Sequence, residues 1–260
     1  MIIGSGLLAK AFVRAFMHSA DVCIYAAGVS NSGCNDLLEF DRERKRLADA
    51  LRYAQHVDAF VYFGTCSVAD PDTQNTPYVQ HKLAMEKLVH SHSRNLVLRL
   101  PQVAGETSNP NTLLNFLHTR IARSEAFELW INAKRNIIDV DDVAIIAKQL
   151  IADNSVRNRT LNIANTVNYH MAEIVTVMEQ VVGKRAIYHI ERRGSEYYID
   201  TRSILPVLER TEIKFGGDYL EKAIFKYYKN LSPGISVVSK VHGLNTTAVI
   251  KNDGINKLST

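Results

Sequence analysis

The chain has 260 residues and a net charge of +4, from 31 basic and 27 acidic side chains. Hydrophobic residues make up 46% of it and charged residues 22%, which excludes a chain that is disordered throughout and allows a sizeable core. The positive charge is small and evenly spread, which argues against nucleic acid as a partner. No uncharged apolar run reaches about 18 residues, so we expect neither a membrane span nor a secretion signal.

The cysteine content indicates the compartment. Cys23, Cys34 and Cys66 are odd in number and show no C-x-x-C spacing. This pattern is typical of a reducing environment without structural zinc, so we expect a cytoplasmic protein with no metal site.

Short apolar runs alternate with longer stretches of helical periodicity, which is the pattern of βαβ units and a parallel sheet. Strands are predicted at residues 1–3, 22–27, 59–63, 96–98 and 161–163. Helices are predicted at residues 7–18, 36–54, 78–92, 111–123 and 140–152. The first two thirds of the chain are therefore expected to form an α/β domain.

From about residue 171 the alternation weakens. A helix at 171–182, a strand at 186–190 and a helix at 218–229 predict a small cap. A polar tail, residues 232–260, follows a Ser-Pro-Gly sequence, and its pattern is compatible with either a hairpin or disorder.

A glycine-rich segment joins the first predicted strand to the first predicted helix. It matches the dinucleotide fingerprint G-x-G-x-x-G/A and consists of Gly4, Ser5, Gly6, Leu7, Leu8 and Ala9. Glycine lets the backbone approach a pyrophosphate, and the helix N-terminus offers free N–H groups. A turn without a ligand is the alternative, but the position at the start of a βαβ pattern favours a phosphate site.

The acidic residue that holds the ribose of NAD, about 20 positions after the fingerprint, is missing. Residues 22–28 read VCIYAAG instead. Either this is the second strand of an enzyme that uses NADP or binds adenosine differently, or the second and third strands are absent.

Tyr78 and Lys82 are four residues apart in a predicted helix and therefore share one of its faces. A cation close to a phenol lowers the pKa of that phenol, which would make Tyr78 an acid or base near neutral pH. A pair on a solvated helix face is the alternative interpretation of this short motif.

The order of these motifs resembles the extended short-chain dehydrogenase/reductase family, and most of all its nucleotide-sugar epimerases, dehydratases and 4-keto reductases. The resemblance covers residues 1 to about 230. It depends on Gly4 to Ala9, Ala26-Ala27-Gly28, Thr65, Tyr78 with Lys82, Arg99-Leu100-Pro101 and the segment 135–142.

The resemblance implies a Rossmann-like doubly wound parallel sheet with a small C-terminal α+β cap. Ala26, Ala27 and Gly28 look like the end of the family's fourth strand, which implies a shortened sheet. The implied domains are 1–165 for NAD or NADP and 166–231, with contributions from 104–136, for the substrate; the tail is 232–260.

The family's site residues can be carried over by position. Thr65 would complete a catalytic triad with Tyr78 and Lys82, with Ser67 as the fallback for Thr65. Lys82 would also hold the nicotinamide ribose. The remaining cofactor residues would be Gly4, Ser5, Gly6, Leu7, Leu8, Ala26, Ala27, Gly28 and Pro101. Arg135 would contact the substrate diphosphate, and Asn111, which also suits a turn, would contact the substrate.

Three functions follow from this resemblance. The family's dehydratases carry Asp and Glu after the catalytic Thr, whereas Cys66 and Ser67 stand here, so epimerisation or keto reduction of a nucleotide-linked sugar for surface polysaccharide is expected. The alternatives are a non-catalytic sensor or scaffold that binds a dinucleotide or nucleotide sugar, and a reductase of a small carbonyl compound. The family's habit also implies a homodimer through helices 36–54 and 78–92.

Overall fold

A computed structural model of the chain describes residues 1–16 and 19–231. The tail at 232–260, with its alternatives of hairpin or disorder, lies outside the described residues, as do the last two residues of the helix predicted at 7–18. In the part that is described, no helix is both long and apolar enough to cross a membrane.

The described residues form ten strands, and all six predicted strands are among them, with ends shifted by at most two residues. They are β1 (Ile2–Ile3), β2 (Val22–Tyr25), β3 (Ala59–Thr65), β4 (Asn95–Leu100), β5 (Gln102–Ala104), β6 (Phe127–Trp130), β7 (Lys134–Asp139), β8 (Arg159–Asn162), β9 (Asn168–His170) and β10 (Tyr188–Glu191).

The helices pack between and beside these strands. They are α1 (Leu7–Phe16), α2 (Leu37–Tyr53), α3 (Pro77–Val89), α4 (Leu113–Ala122), α5 (Val140–Ala152), α6 (Met171–Val182), α7 (Leu205–Leu208) and α8 (Tyr219–Tyr228). Side chains before the first turn fix several helix starts, such as Asp36, which accepts from Leu38 N–H before α2, and Thr76, which accepts from Val79 N–H before α3.

The central sheet has five parallel strands in the order β1-β2-β3-β4-β8. In a complete Rossmann sheet the first strand is internal, with the second and third strands beside it. Here, among the described residues, β1 pairs with β2 alone and is the edge. Only a short connection separates Phe16 from Val22, which leaves no room for another βαβ unit. The predicted shortened sheet is therefore confirmed.

Helices cover both faces of this sheet. On one face, α1 and α5 bury Phe12, Val143 and Ile146 against Val61 and Leu98. On the other face, α2 and α3 bury Leu47 and Met85 against Tyr25, Phe60 and Tyr62. The alternation of side chains along β3 supplies both cores, so every residue of this strand is buried.

The cap has a core of its own, built from α4, α6 and α8. Two small sheets support it, with strand orders β5-β7-β9 and β10-β6. The sequence patterns missed β5, β6, β7 and β9. Three of these strands have only three or four residues, which show too little periodicity, and all four are fixed by pairing with distant segments.

The internal strand β4, between β3 and β8, provides a test of this packing. Leu98 is fully buried between the two flanking strands, so Leu98→Ala should lower the free energy of unfolding by about 2–5 kcal/mol through a buried cavity. Leu38→Ala makes the same chemical change where the side chain is 81% exposed, and its effect should stay within about 0.5 kcal/mol. Urea unfolding of both variants measures the difference, and equal losses would contradict the described packing.

Candidate active site

A cavity of about 560 Å³ opens at the carboxyl ends of β1, β2, β3 and β4. The strands are parallel, so the segments that follow them meet at the same edge of the sheet. This volume lies within the range of ligand pockets. The lining includes Gly4, Ser5, Gly6, Leu7, Leu8, Ala26, Ala27, Gly28, Thr65, Ser67, Tyr78, Lys82, Pro101 and Asn111.

The glycine-rich loop passes close to the backbone that follows β2. Gly4 has φ +134°, and a Cβ there would lie 2.4 Å from the carbonyl oxygen of Ala26. Only glycine permits this conformation and this approach. A Cβ at Gly6 would meet no atom within 4 Å. Helix α1 begins at Leu7 and has no acidic residue in its first turn. The N–H groups of that turn are therefore directed to the cavity edge without a competing carboxylate.

Gly28 lies where β2 passes into a loop, and it is needed for a different reason. A Cβ at this position would lie 2.8 Å from both Glu43 Oε1 and Lys82 Nζ. The absence of a side chain lets the two charged groups meet directly beneath the cavity floor.

The three predicted catalytic side chains come together in this cavity. Thr65 is the last residue of β3, and its hydroxyl accepts a hydrogen bond of 3.1 Å from Ser67 N–H at the start of a short 3₁₀ turn. Tyr78 and Lys82 lie one turn apart at the start of α3. All three are buried, so the solvated-face interpretation of the tyrosine–lysine pair is wrong.

The expected effect of Lys82 on Tyr78 is not what the structure gives. Burial raises the pKa of the Tyr78 phenol, and the negative charge of Glu43 raises it further. Hydrogen bonding with Thr65 acts in the opposite direction but does not overcome these effects. The prediction of a lowered Tyr78 pKa was therefore wrong, because it included neither the burial of the phenol nor the charge of Glu43.

Glu43, on α2, has a side chain that is only 1% exposed and accepts four contacts. Lys82 Nζ lies 3.3 Å from Oε1, and the Tyr62 hydroxyl donates to the same oxygen at 2.8 Å. His81 Nε2 lies 2.9 Å from Oε2, and Val29 N–H donates to that oxygen at 2.7 Å.

Burial alone would raise the pKa of Glu43. The charge of Lys82 and the hydrogen bonds from His81 and Val29 together outweigh this effect, and the pKa falls to about 2. Glu43 is therefore a carboxylate at any ordinary pH.

Glu43 was missed by sequence reasoning, although one signal was present. Phe40, Glu43, Leu47 and Ala50 are spaced three or four residues apart, so a carboxylate stands within the buried stripe of α2. A charge in such a stripe needs a buried partner, which the sequence does not name.

Arg135, the predicted diphosphate ligand, does not line the cavity. Its guanidinium donates to the carbonyl of Lys134 at 2.9 Å and lies 4.0 Å from Asp70 Oδ2. The Asp70 carboxylate is buried, so Arg135 has a charged partner outside the cavity lining.

The residues present fit the diphosphate and nicotinamide ends of a dinucleotide. The fingerprint loop and α1 provide the cradle for phosphate, and the only charged side chains among the lining residues are two cations, Arg46 and Lys82. The edge position of β1 removes the strands that would surround adenosine. Across the described ranges, no group of three His, Cys, Asp or Glu residues is placed to hold a metal ion.

Residues 4–164 match the model of the NAD dependent epimerase/dehydratase family. The match includes the fingerprint loop, Thr65, Tyr78 and Lys82. The chain belongs to this family.

Solved structures place this epimerase/dehydratase family member among proteins of the same fold. UDP-N-acetylglucosamine 4-epimerase from Bacillus cereus is 15% identical, with a TM-score of 0.70 over 90% of this chain and 96% of that chain. UDP-glucuronic acid 4-epimerase from Bacillus cereus, in complex with NAD, is 18% identical, with a TM-score of 0.67 over 89% and 87%. RMD from Pseudomonas aeruginosa, complexed with NADPH, is 16% identical, with a TM-score of 0.66 over 88% and 97%.

At these identities the shared property is the fold. No curated protein sequence matches this family member.

Gly4 and Gly6 provide a matched test of the fingerprint loop. Gly4→Ala forces a Cβ against a backbone carbonyl at a positive φ and should cost roughly 2–4 kcal/mol in the free energy of unfolding. Gly6→Ala meets open space and should change it by less than about 1 kcal/mol. Thermal and urea unfolding of both variants, without ligand, measures these effects. Equal stability of the two variants would contradict the close contact at Gly4.

Proposed function

We propose that the chain is an NAD(P)-dependent enzyme that epimerises or reduces a nucleotide-linked sugar. The observation that carries this proposal is the meeting of Thr65, Tyr78 and Lys82 in one cavity with the fingerprint loop. Family membership supports the cofactor class. Several proteins of the same fold have UDP-sugars or nicotinamide dinucleotides in their names or complexes, which supports the substrate class.

The chemistry divides between the cofactor and the chain. A bound nicotinamide supplies or accepts the hydride. Tyr78 transfers a proton to or from the sugar oxygen, and Thr65 orients that oxygen by a hydrogen bond. Burial of the three side chains excludes water from the reacting atoms. Lys82 lies one helical turn from Tyr78, where it can hold the ribose hydroxyls of the cofactor.

Dehydration is disfavoured in this proposal. Burial strongly raises the pKa of the Cys66 thiol, so it stays protonated and cannot serve as a base. Ser67 reaches the cavity, but a hydroxyl is no substitute for the acidic pair that the family's dehydratases carry there.

The charge of the cavity lining bears on the choice between NAD and NADP. Arg46, Ser30 and Ser32 line the cavity, and no carboxylate is among its described lining residues. A cation and hydroxyls suit an additional phosphate at least as well as free ribose hydroxyls. Fluorescence titration with NADH and NADPH measures the preference. Binding of a cofactor without turnover of any nucleotide sugar would favour the non-catalytic sensor or scaffold.

The setting of the reaction is also proposed. The three cysteines form no disulfide, which agrees with the reducing cytoplasm. Surface polysaccharide synthesis is a process that uses modified nucleotide sugars there.

For the proposed homodimer, α2 offers Leu37, Leu38 and Tyr53, which are highly exposed. Sedimentation of the purified chain tests this assembly.

Removing the Tyr78 hydroxyl tests the catalytic assignment. Tyr78→Phe should lower kcat by roughly 10²–10⁴-fold, because proton transfer is lost while the ring still packs. Cofactor affinity should stay within about 2-fold. Tyr53→Phe makes the same change on a side chain that is 85% exposed and should leave kcat unchanged. Steady-state kinetics with the substrate found by screening nucleotide sugars measures both, and an active Tyr78→Phe variant would reject the assignment.

Arg135 tests the substrate class. If it turns from Asp70 to the diphosphate when substrate binds, Arg135→Ala should raise KM by about 10-fold or more with little change in kcat. The matched control is Arg202→Ala, which removes an exposed arginine paired with Asp200. An unchanged KM in both variants would favour a small carbonyl substrate without a nucleotide.

A further inference from the structure

Lys82 has a buried counterion. Glu43 Oε1 lies 3.3 Å from Lys82 Nζ, and neither side chain is more than 4% exposed. Lys82 Nζ also lies 4.6 Å from the centre of the Tyr62 ring, on the side of the cavity floor. Gly28 provides the space for this contact, since a Cβ would collide with both charged groups.

Residues of α3, β3 and the loop after β2 contact the Glu43 carboxylate. His81 stacks on Phe40 with ring centroids 4.3 Å apart and directs Nε2 to Glu43 Oε2. Tyr62 from β3 and Val29 from the loop after β2 complete the contacts. Two other titratable groups lie near Glu43. The Tyr25 hydroxyl donates to the Glu43 backbone carbonyl at 3.3 Å. Arg46 lies one turn further on α2, and its charge acts to lower the pKa of Tyr25. The negative charge of Glu43 also raises the pKa of Tyr78.

This contact changes what the tyrosine–lysine pair can do. An isolated ammonium next to a phenol favours phenolate, which is a base. An ammonium whose charge is cancelled by a carboxylate at ion-pair distance gives no such preference, and a buried phenol then keeps its proton. The pKa of Tyr78 is raised, which agrees with this geometry.

We propose that Glu43 is a positioning residue that neutralises Lys82 and keeps Tyr78 a proton donor, so that the site reduces a ketone of its sugar substrate. The inference rests on the proposed function and selects keto reduction from its two reactions. Epimerisation requires the same tyrosine to begin as a base, and this is the form that Glu43 suppresses.

In the reductive step, the carbonyl carbon of the sugar gains the hydride from the reduced nicotinamide cofactor, and the carbonyl π bond breaks. The carbonyl oxygen gains the proton of the Tyr78 hydroxyl and becomes an alcohol. The phenolate that remains is reprotonated from solvent, and one reduced cofactor is oxidised for each ketone.

The ionisation of Tyr78 can be measured without cofactor or substrate. The chain has 11 tyrosines, so tyrosinate absorbance is recorded against pH for the wild type and for Tyr78→Phe, and the difference isolates residue 78. We expect no Tyr78 signal below about pH 10, the ordinary pKa of tyrosine. A midpoint near neutral pH would overturn the proposal, and this comparison does not require any change at Glu43.

Glu43→Gln tests the source of the effect. The amide keeps the shape of the side chain but leaves the Lys82 charge uncompensated, so the Tyr78 midpoint should fall by about one pH unit or more, a 10-fold rise in phenolate. Glu39→Gln removes a carboxylate from the exposed first turn of the same helix and should leave the midpoint unchanged. A folded Glu43→Gln protein with the wild-type midpoint would overturn the role of Glu43.

The direction of catalysis gives an independent readout. With nucleotide-linked keto sugars and deuterated reduced cofactor, the wild type should transfer one deuterium per cofactor consumed, at a rate that is flat from about pH 6 to 9. Oxidation of the corresponding alcohols should rise about 10-fold per pH unit over this range in the wild type, and less steeply in Glu43→Gln.

The outcomes separate this inference from the proposed function. Interconversion of alcohol epimers without net cofactor consumption would overturn keto reduction while leaving a nucleotide-sugar enzyme in place. Turnover of neither sugar class, in a protein whose Tyr78 midpoint is high, would overturn the proposed function and the reductive role with it. Net reduction together with the midpoint shift in Glu43→Gln supports both.

Discussion

The parallel pairing of β1, β2 and β3 is the constraint on which the site depends. Because all three strands point the same way, the fingerprint loop, the Ala26–Gly28 segment and Thr65 reach the same edge of the sheet. The contact of Gly4 with the Ala26 carbonyl then brings the first two of these segments to van der Waals distance. α3 adds Tyr78 and Lys82 from the next connection.

A second constraint is electrostatic. Glu43 and Lys82 are both removed from water, and each is tolerable there only because the other is present. His81, Tyr62 and Val29 satisfy the remaining capacity of the carboxylate. A network that is this fully satisfied gives a rigid floor beneath Tyr78. The Glu43 charge also raises the pKa of Tyr78, so the ionisation of this α3 residue depends on a residue of α2.

The loss of two strands alters one end of the cavity and leaves the other intact. The cavity keeps Thr65, Tyr78, Lys82 and Pro101 at the end that we propose for the nicotinamide, whereas β1 has become an edge. A cofactor would be held chiefly by its diphosphate and nicotinamide portions. The cap has a separate core, and the segment that leads into its helix α4 lines the cavity with Asn109 and Asn111.

The sequence by itself determined the order of strands and helices in the central sheet, the fingerprint loop, and the pairing of Tyr78 with Lys82 on one helix face. Each of these follows from local spacing: helical period, glycine at a βα turn, and residues one turn apart. The edge position of β1 was one of two alternatives until strand pairing was known. Glu43, the position of Arg135 and the short strands β5, β6 and β9 were decided only by the tertiary structure. The reason is that a buried charge, an ion pair or a short strand takes its role from partners far along the chain, as Glu43 does from Lys82, and local patterns do not contain those distances.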